Sequence, residues 1–217
     1  MSRLKVLLIG GSGGLGSQLL HKLQEKYDVH TPSSKECNVT DINSIQQFCT
    51  QIQPDVVINL SGTNFDMPLH RLNKSHEEQI KKIVDINAIG NVNVLAACLP
   101  IMRERNFGRV ILISSVLSNR IVFGTALYTA TKVFVDSLVR SASAENIQKG
   151  ITCNSIQLGY FDGGMAHRLP EKIAEKIKDT IPLKRWGSID ELYSTVDYLI
   201  NTEYITGQNL EISGGLP

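Results

Sequence analysis

Near its start the chain runs from an apolar stretch, Val6-Leu7-Leu8-Ile9, straight into Gly10-Gly11-Ser12-Gly13-Gly14-Leu15-Gly16. Few local patterns constrain a fold as tightly. A buried strand must end, turn and feed a helix, and the turn must stay free of side chains. Such a turn lets a pyrophosphate approach main-chain N–H groups at the helix start, where the helix dipole favours negative charge. Two registers fit. Gly11, Gly13 and Gly16 read as G-x-G-x-x-G, and Gly10, Gly14 and Gly16 read as G-x-x-x-G-x-G. A strand before and a helix after favour dinucleotide binding over a flexible turn, with Ser12, Gly13 and Leu15 completing the candidate loop.

Strand-like and helix-like patterns alternate along the rest of the chain. Strands are expected over 5–9, 28–31, 55–60, 109–114, 151–158 and 209–212. Helices are expected over 15–26, 41–52 (with Thr40 as its N-cap), 77–103, 127–147, 171–179 and 189–199. Apolar strands alternating with helices imply a parallel sheet covered on both faces. Right-handed crossovers make this an α/β doubly wound sheet, a Rossmann fold, in a single domain over 1–217. Ligands in such sheets bind beyond the carboxyl ends of the strands. Gly10, Ser61-Gly62, Ser114-Ser115 and Gly159 all fall there.

Composition excludes several classes. A formal net charge of +1 gives no basic footprint for nucleic acid. No apolar stretch is expected to reach the length of a membrane span. The N-terminus enters the first strand directly, which leaves no room for a signal peptide and points to the cytoplasm. Cys37, Cys49, Cys98 and Cys153 are scattered and read as reduced buried thiols. The five histidines show no metal-ligand spacing, and no metal is expected.

Tyr128 and Lys132 lie four apart on an expected helix and share one face. A phenol is a poor base near neutral pH, and a nearby ammonium lowers its pKa. Such a tyrosine can exchange a proton with a carbonyl or alcohol oxygen. Ser115, at a strand end, can donate a hydrogen bond that orients this oxygen. A Y-x-x-x-K alone is weak. With Ser115, the glycine loop and the element order, it points to an enzyme moving hydride between a nicotinamide and a carbonyl or secondary alcohol carbon.

Together these motifs resemble the short-chain dehydrogenase/reductase family over essentially the whole chain. Residues 9–16 resemble its T-G-x-x-x-G-x-G, which favours the Gly10, Gly14, Gly16 register. Asn38-Val39 resembles its D-V pair beside the adenine, and Asn59-Leu60-Ser61-Gly62 its N-N-A-G. The resemblance makes Asn87 the fourth member of an Asn-Ser-Tyr-Lys set, holding a water beside the lysine, and puts Lys132 on the nicotinamide ribose. It also implies a homodimer or homotetramer packed through the helices over 77–103 and 127–147. Ile9, Asn38, Leu60, Leu158 and Gly163 depart from the family pattern. The chain is short between its second strand and Asn38, so a third strand there is expected to be trimmed.

The second strand ends without a carboxylate before Glu36, and Ser33, Ser34 and Lys35 are candidates for a 2′-phosphate. A solvated loop lysine is the alternative for Lys35. The expectation is NADP rather than NAD. Substrate loops are expected at 63–75, 116–126 and 159–170, the last as a mobile lid. Arg120, His167 and Arg168 are candidate anion contacts, against a solvated reading of each. The polar 63–75 loop suggests a polar, sugar-like or phosphorylated substrate. Two other readings are an epimerase or dehydratase that retains its nicotinamide, and a non-catalytic nucleotide-sensing scaffold on the same fold.

Overall fold

The structure is a computed structural model that describes residues 3–163 and 170–217. Six strands form one sheet: β1 (Lys5–Ile9), β2 (Asp28–His30), β3 (Val56–Asn59), β4 (Gly108–Ser115), β5 (Ile151–Leu158) and β6 (Asn209–Ile212). Their order is β2-β1-β3-β4-β5-β6, all parallel. The apolar strands demand cover on both faces. Val6 and Leu8 of β1 face one layer, where α1 (Gly14–Gln24) and α7 (Ile189–Asn201) supply Leu19, Leu23, Leu192 and Val196. Leu7 and Ile9 face the other. There they meet Ile45, Cys49, Val94, Cys98, Val135 and Val139 of α2 (Ile42–Ile52), α4 (Gly90–Arg105) and α5 (Ala126–Asn146). Period-two alternation along each strand thus divides the core into two layers.

The chain leaves β1 for β2 on one side and returns to β3 on the other, so the crevice between β1 and β3 is the topological switch point. Ile9 pairs with Asn59, Asn59 with Leu112 and Ser115 with Leu158, which aligns the strand ends along one edge.

Several elements differ from the sequence expectation. Asp41, not Thr40, caps α2, its carboxylate accepting the Asn43 N–H at 3.0 Å. The Thr40 hydroxyl is spent on Asn38 Oδ1. The helix expected over 77–103 is α3 (Glu77–Val84), a π turn at Asp85–Ile89, and α4. Residues 74–105 are also long and apolar enough to cross a membrane, contrary to the expectation that no stretch would be. Half of that window is buried in the fold, with Val94, Cys98 and Met102 in the core, so core packing accounts for its apolar character. The trimmed third strand is as expected. Residues 31–41 turn into α2, with the Glu36 and Cys37 N–H groups both donating to the Ser33 carbonyl, and β2 is the sheet edge. All four cysteines are free and buried, and Cys49 and Cys98 bring their sulfurs to 3.4 Å.

Candidate active site

The glycine loop closes over the end of β1. Gly10 takes φ +82°, and a Cβ there would stand 2.9 Å from the Ser61 nitrogen. A Cβ on Gly16 would stand 2.2 Å from the Gly10 carbonyl. The loop is therefore pressed against both β3 and its own helix, which leaves no room for side chains. Gly13 is the N-cap of α1 and offers no side-chain cap, and the first turn carries no acid. The bare helix N-terminus opens on a cleft of about 660 Å³. Its walls include Gly10, Ser12 and Gly13 of the loop, Ser34, Asn38 and Val39 beyond β2, Ser61 and Gly62 beyond β3, and Ile86 of the π turn. Concave space facing unpaired helix N–H groups fits a dinucleotide diphosphate.

At the Gly62 end of this cleft lie the candidate reacting groups. A Cβ on Gly62 would be 3.7 Å from Lys132 Nζ and 3.6 Å from Asn87 Oδ1, so all three residues border one small space. Tyr128, Lys132, Ser115 and Asn87 are all buried. Lys132 Nζ donates to the Ile113 carbonyl at 2.9 Å and stands 5.6 Å from the Tyr128 ring centroid. Burial draws the Lys132 pKa down to about 8, and the Asp136 charge pulls against that fall. Burial raises the Tyr128 phenol above its ordinary value, a hydrogen bond with Ser115 opposes the rise, and Asp66 and Tyr160 add to it. This reverses the direction expected from the lysine alone. The phenolate loses its hydration, while the ammonium is turned to the Ile113 carbonyl.

Asn87 sits in the π turn, where the widened helix lets its amide reach sideways. Oδ1 accepts from the Thr63 N–H at 2.9 Å, and Nδ2 donates to the Thr63 carbonyl at 2.8 Å and to Thr131 Oγ1 at 3.1 Å. Sequence reasoning missed its support, Asn91. Asn91 Nδ2 donates to the Asn87 carbonyl at 2.7 Å, and its Oδ1 accepts from Asn59 Nδ2 at 2.8 Å. Asn59 Oδ1 in turn accepts the N–H and hydroxyl of Ser61. The spacing of Asn91 one turn beyond Asn87 was the available signal.

A model of the family described as Enoyl-(Acyl carrier protein) reductase matches residues 5–217. The chain belongs to the short-chain dehydrogenase/reductase family. It is an NAD(P)-dependent oxidoreductase. Among its relatives, the acetoacetyl-CoA reductase of Allochromatium vinosum is 31% identical over 175 residues, 79% of this chain and 70% of that protein. The 3-oxoacyl-[acyl-carrier-protein] reductase FabG of Rickettsia typhi is 28% identical, with 97% of this chain and 95% of that one covered. The fold matches a solved structure titled "ElxO with NADP Bound" at TM-score 0.87 and 22% identity, covering 99% of this chain and 98% of that one.

The remaining residues singled out in the sequence are distributed unevenly. Gly14, Leu15 and Gly16 begin α1 behind the cleft wall, and Asn59 is an internal support for Ser61. Ser33 gives its N–H and hydroxyl to Glu36, and Lys35 is exposed outside the cleft lining. Gly159 packs on Ser213 at the end of β6. Arg120, a candidate anion contact, is taken: it makes a two-bond pair with Glu211 and donates to the Leu216 and Pro217 carbonyls. His167, Arg168 and half of the expected lid lie outside the described residues. The near end of that loop is anchored, since the Gly187 N–H donates to the Tyr160 carbonyl and the Asp162 N–H to the Gly187 carbonyl.

Proposed function

We propose that this oxidoreductase reduces the 3-oxo group of a 3-oxoacyl thioester to a secondary alcohol with NADPH, Tyr128 delivering the proton. The observation that carries the reading is the meeting of Tyr128, Ser115 and Lys132 beside Gly62, where the cleft ends. NADPH, when bound, supplies the hydride. Gly10, Ser12 and Gly13 would receive its diphosphate, Asn38 and Val39 would border the adenine, and Lys132 would reach the nicotinamide ribose. Ser34 is the residue of the expected 2′-phosphate group that lines the cleft, and no carboxylate closes β2. ElxO, by its title, holds NADP on the same fold.

The Ser115 hydroxyl orients the substrate oxygen, and Tyr128 then gives it the phenolic proton. A phenol raised by burial is protonated at neutral pH, which suits reduction. Lys132 adds positive charge below the ring, and Asn87 ties Thr63 to α5 so that the wall of the site stays in register.

Two observations favour the acyl substrate over the sugar-like one. The relatives are named for acetoacetyl-CoA and 3-oxoacyl carriers. Leu69, Ile121, Val122 and Phe123 are exposed on the two loops that meet where Pro68 faces Gly124. Assembly as a homodimer or homotetramer belongs to the same reading. Ile89, Val92, Val133 and Phe134 stay exposed on the helices expected to pair. Cytoplasmic residence is supported by four reduced, buried thiols. The test is NADPH consumption with acetoacetyl-CoA as probe. Tyr128→Phe should bind NADPH as the wild type does and lose turnover by about 10²–10⁴-fold. Full turnover in that variant would place the acid elsewhere.

A further inference from the structure

The carboxylate of Asp136 has no part in the chemistry above, yet it is buried at the centre of the molecule. It lies one turn beyond Lys132 on α5, on the same helix face. Its Oδ1 accepts from Ser155 Oγ at 2.9 Å and its Oδ2 from Gln157 Nε2 at 2.7 Å. The same Gln157 nitrogen donates to Ser118 Oγ at 2.8 Å, and Ser118 Oγ donates to the Ser115 carbonyl at 2.8 Å. Gln157 Oε1 accepts from Asn119 Nδ2 at 3.0 Å. A continuous line of hydrogen bonds therefore joins Asp136 to the turn that carries Ser115.

Two neutral donors do not offset a buried carboxylate. A cation does, and Lys132 is the buried cation at hand. The groups packed around Lys132 are otherwise neutral: the Ile113 carbonyl of β4, Asn87 of the π turn and Gly62 beyond β3. α5 also carries Tyr128, Arg140 and Glu145; Lys132 Nζ stands over the Tyr128 ring, and Asp66 and Tyr160 act on that phenol.

We propose that Asp136 is a positioning residue for the reduction: its charge keeps Lys132 an ammonium, and its bond to Gln157 sets the Ser115–Asn119 turn. The proposal rests on the reading of Ser115 and Lys132 as site residues.

The test is a titration of Lys132 by NMR in protein carrying 13Cε-lysine, its signal identified by its loss in K132R. The wild-type midpoint should lie near 8. In D136N it should fall by about one pH unit, and the basic limb of kcat/KM should fall with it. D136E should restore both. Q157L should lower kcat, because it breaks the link from Asp136 to the Ser115–Asn119 turn while Asp136 itself stays in place. An unchanged midpoint in D136N overturns the electrostatic role, and an unchanged kcat in Q157L overturns the role of the turn. Should D136N not fold, the wild type decides. The Asp136 13Cγ signal must then inflect with Lys132 near pH 8, and a flat signal overturns the coupling. Neither titration needs turnover. A protein that bound no NADPH would sink the proposed function and leave the Asp136–Lys132 coupling standing.

Discussion

In the proposed function Lys132 serves both binding and chemistry, and its surroundings decide how. Held at about 8 by burial, its proton is lost just above neutral pH. Below that midpoint it is an ammonium that supports cofactor and phenol. Above it, the charge is gone. Activity should therefore decline as pH rises through about 8, and a kcat/KM profile flat to pH 9.5 would contradict this. Gly16 sets a different kind of limit. With its Cβ position 2.2 Å from the Gly10 carbonyl, Gly16→Ala must push the loop off the cleft. NADPH affinity, followed by fluorescence titration, should weaken by at least about tenfold, the equivalent of about 1.4 kcal/mol.

Among the elements, the interrupted helix is the most consequential. The π turn at Asp85–Ile89 lets Asn87 reach Thr63 and Thr131, and Asn91 of α4 satisfies the carbonyl thereby turned inward. Asn91→Leu would remove the side-chain donor to the Asn87 carbonyl and the acceptor of the Asn59 amide in the core. The expected cost is about 1–3 kcal/mol, seen as a lower urea midpoint. On the opposite face of the sheet from α4, α7 begins with a capping box between Ser188 and Glu191, reinforced by Arg185. Ser188→Ala should cost about 1 kcal/mol in the same assay and leave NADPH binding unchanged, since neither Ser188 nor Glu191 lines the cleft.

On the scale of the whole molecule, the cleft joins segments from β1, β2, β3 and the π turn that are far apart in sequence. A ligand that spans them should stabilise the fold as a unit. NADPH at 100 times its Kd should add about 2.7 kcal/mol, read as a rise in melting temperature. NADH at the same concentration should add less if Ser34 meets a 2′-phosphate. Equal shifts would remove the NADP preference.

The sequence alone determined the class of fold, because period-two apolar strands, intervening helices and a side-chain-free first turn admit few other arrangements. It also pointed to three candidate site residues, because Tyr128 and Lys132 share a helix face by spacing and Ser115 ends a strand, while Asn87 came from the family resemblance. Tertiary structure decided what those residues experience. Burial, not the neighbouring ammonium, governs the Tyr128 phenol, and a sequence shows spacing but not desolvation. Arg120 reads as a free cation until β6 brings Glu211 against it, and Ser33 as a phosphate contact until the 31–41 turn spends it on Glu36. Gln157 and Asp136 were silent in the sequence for the same reason: their hydrogen-bond partners are long-range, and only the packed sheet brings them within reach.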